Sequence, residues 1–398
     1  MTTVRRAVVV GAGIGGLTTA LSLARRGIHV TVLEQAPAFD EVGAGIQVSP
    51  NASRVLHALG LAEALTDHAF HPEGVELRTW KRGHALARMP LGDQVARRFG
   101  APYLHLHRAD LHRVLAEAAT SRDGVDVHLG ARCQEIAQSR DVVTATTTEG
   151  NSFTGELLVG ADGIKSRVRA LLFGDESPRF TGCVAWRGLV PSEAVAERDV
   201  RPVAANWMGP GAHFVHYYVR GGKLVNFVAV VEKSGWTVES WTERGEKNEL
   251  AADFAGWHPT VRGLIDAADP DGCYKWALFD RDPMPLWSDG RITLLGDACH
   301  PTLPFMAQGA CMAIEDAAVL AACVGEGSTV PHALARYESL RRGRTAGIQV
   351  GSRRNKTLYH LAGPRAWLRN VGMPLAARTR TAQTDALFAY DAFAAAAQ

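Results

Sequence analysis

Residues 7–10 are an unbroken apolar run, Ala-Val-Val-Val, that stops on a glycine-rich turn. A short, fully apolar run with such an end fits a strand buried on both faces, as in a parallel sheet. From Ile14 to Arg26 the period changes. Leu17, Ala20, Leu21 and Ala24 fall on one helical face, and Gly27 supplies the stop. Residues 28–33 read as a second strand, with Glu34 at its end. The chain therefore opens with a βαβ unit. Further along, 103–118 reads as a strand end passing into a helix, 125–128 and 142–148 as short strands, and 157–159 as another buried strand. Between Cys183 and Lys233 long runs such as 213–219 and 224–230 predict an antiparallel sheet, with Arg220, Gly221, Gly222 and Lys223 as a hairpin turn. Helical pattern returns over 249–268. A strand over 292–295 and a helix over 308–324 follow, and an Ala- and Arg-rich tail from about residue 335 is mostly helical.

The turn after the first strand carries the first chemistry. Gly11 permits a tight bend, Gly13 lets a pyrophosphate approach the backbone, and Gly16 lets helix and strand pack closely, with Gly15 between them. The helix N-terminus offers free N–H groups to phosphate. Glu34 follows Gly16 by 18 residues, where a carboxylate can accept ribose hydroxyls and repel a 2′-phosphate. The turn alone does not separate FAD from NAD. Two later signals are Gly160-Ala161-Asp162-Gly163 and Gly296-Asp297-Ala298-Cys299-His300-Pro301, each after an apolar strand. Taken singly, Asp162 and Asp297 read as turn and cap residues.

Composition bounds the rest. At 398 residues the chain suggests about two domains. Net charge of +2, with 46% apolar and 21% charged residues, gives no reason to expect nucleic acid or a membrane as partner. The arginines at 341, 342 and 344, and at 353 and 354, read as solvated helix faces. Six cysteines include no Cys-x-x-Cys, so no metal site is expected, and reduced, buried thiols in the cytoplasm are.

In this order the three glycine signals resemble the class A flavoprotein aromatic hydroxylases, the family of p-hydroxybenzoate and salicylate hydroxylases. The resemblance runs to about residue 345. It implies an α/β fold: a Rossmann-like, doubly wound FAD domain (1–72, 98–180 and 285–345), an inserted antiparallel-sheet substrate domain (73–97 and 181–284), and a C-terminal helical segment (346–398). It implies that Asp297 reaches the ribityl chain, that Asp162 serves FAD and the nicotinamide pyrophosphate, and that Arg108 contacts FAD. Gly45 and Gln47 would lie along the isoalloxazine. Pro301, Gln308, Gly309 and Ala310 would lie at its pyrimidine edge, where a helix N-terminus favours negative charge. His300 is structural by the same resemblance. With no second GxGxxG, NADH or NADPH would dock transiently as co-substrate.

His213, Val215 and Tyr217 share one strand face, and His216 points the other way. A histidine titrating near neutrality can take the proton of a phenol. The Gly-x-His-Phe-x-x-Tyr wording resembles that of hydroxybenzoate and hydroxynicotinate hydroxylases, in which this His and Tyr line the pocket. His213 and Tyr217 are thus the candidate catalytic pair, and Arg187 and Arg220 are candidates for a substrate carboxylate. The 6-hydroxynicotinate hydroxylases carry His where this chain has Gln47 and Phe305, so a benzenoid ring suits the pocket better than a pyridine. The 3-hydroxybenzoate 6-hydroxylases carry Gln at the place of Pro304. The expected function is FAD-dependent hydroxylation of a phenolic aromatic acid with NAD(P)H and O2 through a flavin C4a-hydroperoxide. An FAD-dependent oxidase or dehydrogenase on the same fold is the alternative. Oligomeric state is left open, a homodimer included.

Overall fold

A computed structural model describes residues 4–39, 43–233, 235, 243–325 and 328–397, the side chains of 375–383 excepted.

The opening unit forms as the apolar periods require. Arg6–Val10 pairs in parallel with His29–Leu33 on one side and Leu157–Gly160 on the other, with Val8 opposite Thr31 and Leu158. Ile292–Leu294 and Val125–His128 extend this sheet in parallel, and Ser288–Asp289 closes one edge antiparallel to Ile292–Leu294. Val8, Val9, Leu158 and Val159 are fully buried, so both faces are covered, as a parallel sheet needs. The helix Ile14–Ala24 packs over one face together with Gly309–Val324.

The second large sheet has seven strands in the order Tyr274–Asp280, Arg179–Pro191, Leu224–Glu232, Ala212–Val219, Val203–Gly209, Gly74–Thr79, Ala85–Pro90. It is mixed rather than wholly antiparallel, because Gly74–Thr79 joins Val203–Gly209 in parallel. Arg220–Gly222 turns the chain between Ala212–Val219 and Leu224–Glu232, with Val219 opposite Leu224. Alternation along Ala212–Val219 sorts its side chains. Phe214 enters a core with Trp186, Trp207, Phe227 and Phe254, while His213 lies on the opposite face near Phe305 and Tyr359. The helical stretch expected over 249–268 is two helices, Lys247–Asp253 and Pro259–Ala267, because Pro259 suits a helix start and not its interior.

The tail is helical as expected, in Val330–Tyr359, Gly363–Phe388 and Ala392–Ala396. The boundary drawn at 345/346 falls inside the continuous 30-residue helix Val330–Tyr359. Its arginines are not all solvated, contrary to the sequence reading. Arg341 is fully buried and pairs with Glu315 at 2.6 Å and Asp316 at 2.7 Å, and Arg344 reaches Glu315 at 2.7 Å. The two acids project from a helix buried on nearly every side, and a buried carboxylate is tolerated when paired. All six cysteines are free and buried.

Candidate active site

A cavity of about 1350 Å³ lies between the glycine turn and the seven-stranded sheet. That exceeds the range usual for one drug-sized ligand and leaves room for a large cofactor with a small ring. Its floor is backbone. Gly13 and Gly15 line it with the start of helix Ile14–Ala24. A Cβ on Gly11 would meet the Ala161 carbonyl oxygen at 2.5 Å, and one on Gly16 would meet the Gly11 carbonyl oxygen at 1.9 Å. A Cβ on Gly13 would meet nothing within 4 Å. Two glycines therefore allow close packing and the third fronts open space. Glu34 braces the turn: its carboxylate accepts the N–H groups of Ala12 and Ala36, each at 2.8 Å.

The Gly-Asp turn forms the next part of the wall. Gly296 takes a left-handed φ of 62°, and Asp297 follows it with its side chain exposed to the cavity. Burial pushes the Asp297 carboxyl up, against the pull of His300 and Arg108. No described residue hydrogen-bonds it, and a carboxylate open to the cavity fits a hydroxyl-bearing ligand in that space. Arg108 lines the same cavity, anchored through its N–H to the Ala44 carbonyl at 2.7 Å. Pro301, Gln308, Gly309 and Ala310 bring a second helix N-terminus, that of Gly309–Val324, to the wall. The Gln308 side chain is engaged by Ser49 and Asn51, so only its backbone serves that edge. These groups fit FAD: the open Gly13, two helix N-termini and an unpaired carboxylate.

Two motif residues have local partners instead. Asp162 accepts from the Ser166 hydroxyl at 2.5 Å and from the N–H groups of Arg167 and Val168, capping helix Arg167–Phe173, while its neighbours Ala161 and Gly163 line the cavity. His300 is buried against Asp316 at 2.6 Å. Burial alone would raise Asp316, but His300 and Arg341 hold it below its ordinary value.

The facing wall is side chains. His213, Val215 and Tyr217 all line the cavity, with Val228 and Val230 from the neighbouring strand. Gly45 donates its N–H to Asn226 at 2.7 Å, and a Cβ there would strike Tyr217 and Asn226 at 2.6 Å. The segment carrying Gln47 thereby lies close against the sheet. Gln47 accepts from the Tyr103 hydroxyl at 2.6 Å and also engages Tyr217. Burial pushes both phenols up, so they stay protonated donors. His213 departs from the expectation of a group titrating near neutrality. Burial, then the neighbouring His360, hold it well below its ordinary value, so it is a neutral imidazole with one unprotonated ring nitrogen.

The two arginines proposed from the sequence do not reach this wall. Arg187 is buried between the rings of Tyr274 and Trp276, each 5.2 Å away. Arg220 pairs with Asp110 at 3.0 Å. Arg354 lines the cavity instead, from helix Val330–Tyr359, while its neighbour Arg353 turns to Asp280 and Asp282. Sequence reasoning also missed His360. It lies 2.7 Å from His213 through Nε2 and 2.8 Å from Glu232 through Nδ1. A lone histidine beyond a helix end carries no local signal; only the fold brings it 147 positions back to His213.

Residues 4–349 match the FAD binding domain family. The chain is 45% identical over 375 residues to a 3-amino-4-hydroxybenzoate 2-monooxygenase of Streptomyces platensis, covering 94% of this chain and 93% of that one. It is 41% identical to a 3-hydroxybenzoate 6-hydroxylase of Klebsiella oxytoca, covering 93% of each. The fold superposes with a TM-score of 0.83 and 29% identity on Klebsiella pneumoniae HpxO complexed with FAD and uric acid, covering 96% of this chain and 97% of that one. The chain thus belongs to the FAD binding domain family and, within it, to the class A flavoprotein hydroxylases, FAD-dependent aromatic monooxygenases.

Proposed function

We propose that the substrate is a monocyclic phenolic acid of the hydroxybenzoate type, hydroxylated with O2 and NADH or NADPH. The observation that carries this reading is the shared cavity: one space is bounded by the glycine turn and Asp297 on one side and by His213 and Tyr217 on the other. Bound FAD supplies the redox chemistry and the activation of dioxygen. The chain's own residues do the rest. Gly11, Gly13, Gly15 and Gly16 admit the pyrophosphate to the N-terminus of helix Ile14–Ala24. Glu34, Arg108 and Asp297 hold the ribose and ribityl portions. Gly45, Gln47, Pro301, Gln308, Gly309 and Ala310 border the ring. Asp162 acts by capping the turn beneath.

His213 Nε2 takes the phenolic proton, leaving an electron-rich ring to react. Tyr217 and Gln47 hold the substrate in register as hydrogen-bonding groups. Val215, Val228, Val230 and Phe305 exclude water from the reacting carbon. Arg354 receives the carboxylate. In this reading 1–72, 98–180 and 285–345 serve the cofactor and 73–97 with 181–284 serve the substrate, with the long C-terminal helix contributing to both. Six free cysteines fit a reducing compartment, the cytoplasm. Among the described residues no helix is long and apolar enough to cross a membrane.

The test is a panel of substituted hydroxybenzoates scored for stimulated NADH and NADPH oxidation, with products analysed by mass under labelled dioxygen. One labelled oxygen atom in a ring-hydroxylated product is expected. Stimulated oxidation with no hydroxylated benzoate in the panel would overturn the substrate class.

A further inference from the structure

His213 has a second nitrogen, and it is not turned to the cavity. Its Nδ1 lies 2.7 Å from Nε2 of His360, whose Nδ1 lies 2.8 Å from a carboxylate oxygen of Glu232. Local geometry explains the alignment. His213 pairs with Val230 across the antiparallel ladder, and Glu232 is two residues further on the same strand, so both side chains share a face. His360 is the residue immediately beyond helix Val330–Tyr359. Its carbonyl accepts the Gly211 N–H at 3.0 Å, and its own N–H donates to the Lys356 carbonyl at 3.1 Å. The helix end is pinned so that this imidazole fills the gap between base and acid. His213 and His360 are 2% and 6% exposed, whereas the Glu232 side chain is 47% exposed. The row runs from cavity to solvent.

Hydrogen-bond polarity then fixes each tautomer. A carboxylate only accepts, so His360 Nδ1 carries hydrogen. Nε2 of a neutral His360 is therefore a lone pair, and His213 Nδ1 donates to it. That leaves His213 Nε2 unprotonated, with the cavity before it. We propose that His360 and Glu232 are positioning and relay residues, which hold His213 in the proton-accepting tautomer and carry the phenolic proton to water. The inference rests on the reading of His213 as the base. The phenolic O–H bond breaks and its electron pair stays on oxygen. The proton joins His213 Nε2, the Nδ1 proton of His213 passes to His360 Nε2, and the Nδ1 proton of His360 passes to Glu232, which releases it to water. Return of a proton to the product along the same row restores both tautomers, and no electrons change hands.

The surroundings suit such a row. Cys183, on strand Arg179–Pro191, has its sulfur within 4.8 Å of the nearest ligand atoms of Glu232 and His360, and burial pushes this thiol up, keeping it neutral. Lys356, on the same helix as Tyr359, is directed to the Thr181 carbonyl at 2.6 Å. Burial and this ammonium lower His360 against the pull of Glu232. Phe305 and Tyr359 present ring edges to His213 at 4.8 and 5.3 Å. Arg369, from helix Gly363–Phe388, is bound to the carbonyls of Leu358 and Tyr359. Both imidazoles are thus held neutral, which a relay requires, since an imidazolium cannot accept.

The experiment uses FAD-loaded full-length protein and 3-hydroxy-4-nitrobenzoate, a chromophoric phenol. Rapid mixing follows phenolate absorbance and, with a pH-indicator dye, proton release. Glu232→Gln keeps an acceptor for His360 Nδ1–H but cannot carry a proton. It should bind the probe within about 2-fold of wild type, yet release the proton roughly 10-fold more slowly or worse, with the rate restored by added imidazole buffer and largely by Glu232→Asp. His360→Gln should behave alike. Wild-type release rates in both Gln variants would overturn the relay, as would one tightly held metal ion per chain at Cys183, Glu232 and His360. Wild-type phenolate formation in His213→Ala as well would instead sink the assignment of the base.

Discussion

The wall of the cavity at the glycine turn and the wall at the seven-stranded sheet are made of different material. The first presents backbone: glycines, two helix N-termini, and the Gly296-Asp297 turn. The second presents side chains from several strands and from a helix that begins more than a hundred residues later. Backbone groups recognise what every FAD shares, phosphate and ribityl oxygens, so a short local motif suffices. Side chains set the ring's protonation, its orientation and its solvent, and each comes from whichever element passes nearby. The sharpest break of this contrast is on the side-chain wall. His213→Ala should lower hydroxylation by roughly 10²–10⁴-fold and raise peroxide release, with flavin content unchanged. A variant that hydroxylates normally, or that loses FAD, would erase the division of labour.

The mirror-image break is Gly16→Val. Its added carbons must displace the Gly11 carbonyl, which a Cβ would approach to 1.9 Å. Overpacking there should cost on the order of 3 kcal/mol, about 100-fold in FAD affinity. Flavin retention after gel filtration measures it, and a fully yellow variant would refute it. A smaller effect sharpens the comparison within the side-chain wall. Arg354→Ala should raise KM for the aromatic acid about 10-fold, the worth of one charge-assisted hydrogen bond near solvent, and leave kcat nearly unchanged. An equal fall in kcat would place Arg354 with the reacting centre.

The mildest effect appears only in acid. His105 and His216 are held down to about 3 by burial. The folded protein binds fewer protons there than the unfolded chain, so this stability is complete above about pH 6.5 and is lost as the pH falls toward 3. His216 faces the Trp207 core, away from the cavity. His216→Gln should leave turnover unchanged and remove up to about 1.4 kcal/mol per pH unit from the acid slope of stability. Thermal melts from pH 7 to 4 read the slope, and an unaltered slope would contradict it.

The same contrast explains what the sequence disclosed. The βαβ opening, the strand before Gly296 and the helix over 309–324 were legible because local period and glycine placement determine them. So was the shared face of His213, Val215 and Tyr217, since a strand alternates strictly. The parallel union of Gly74–Thr79 with Val203–Gly209 was not, because no local pattern reports which distant strand lies alongside. Arg353 and Arg354 are neighbours on one helix, yet one meets acids and the other the cavity. One helical step of about 100° separates those fates, and composition cannot see it. Arg341 was misjudged for the same reason: its acids belong to another helix.

The six buried cysteines have a consequence for durability. An enzyme that handles dioxygen leaks some peroxide whenever substrate is badly placed, and peroxide attacks thiolates first. Burial raises every one of these thiols above its ordinary value, to about 11 for Cys133 and Cys311. The chain therefore offers its own by-product almost no thiolate. Methionine sulfur needs no ionisation to react, and Met89 and Met306 border the cavity itself. Ageing during uncoupled turnover should begin as sulfoxide at those two positions, while the cysteines remain reduced.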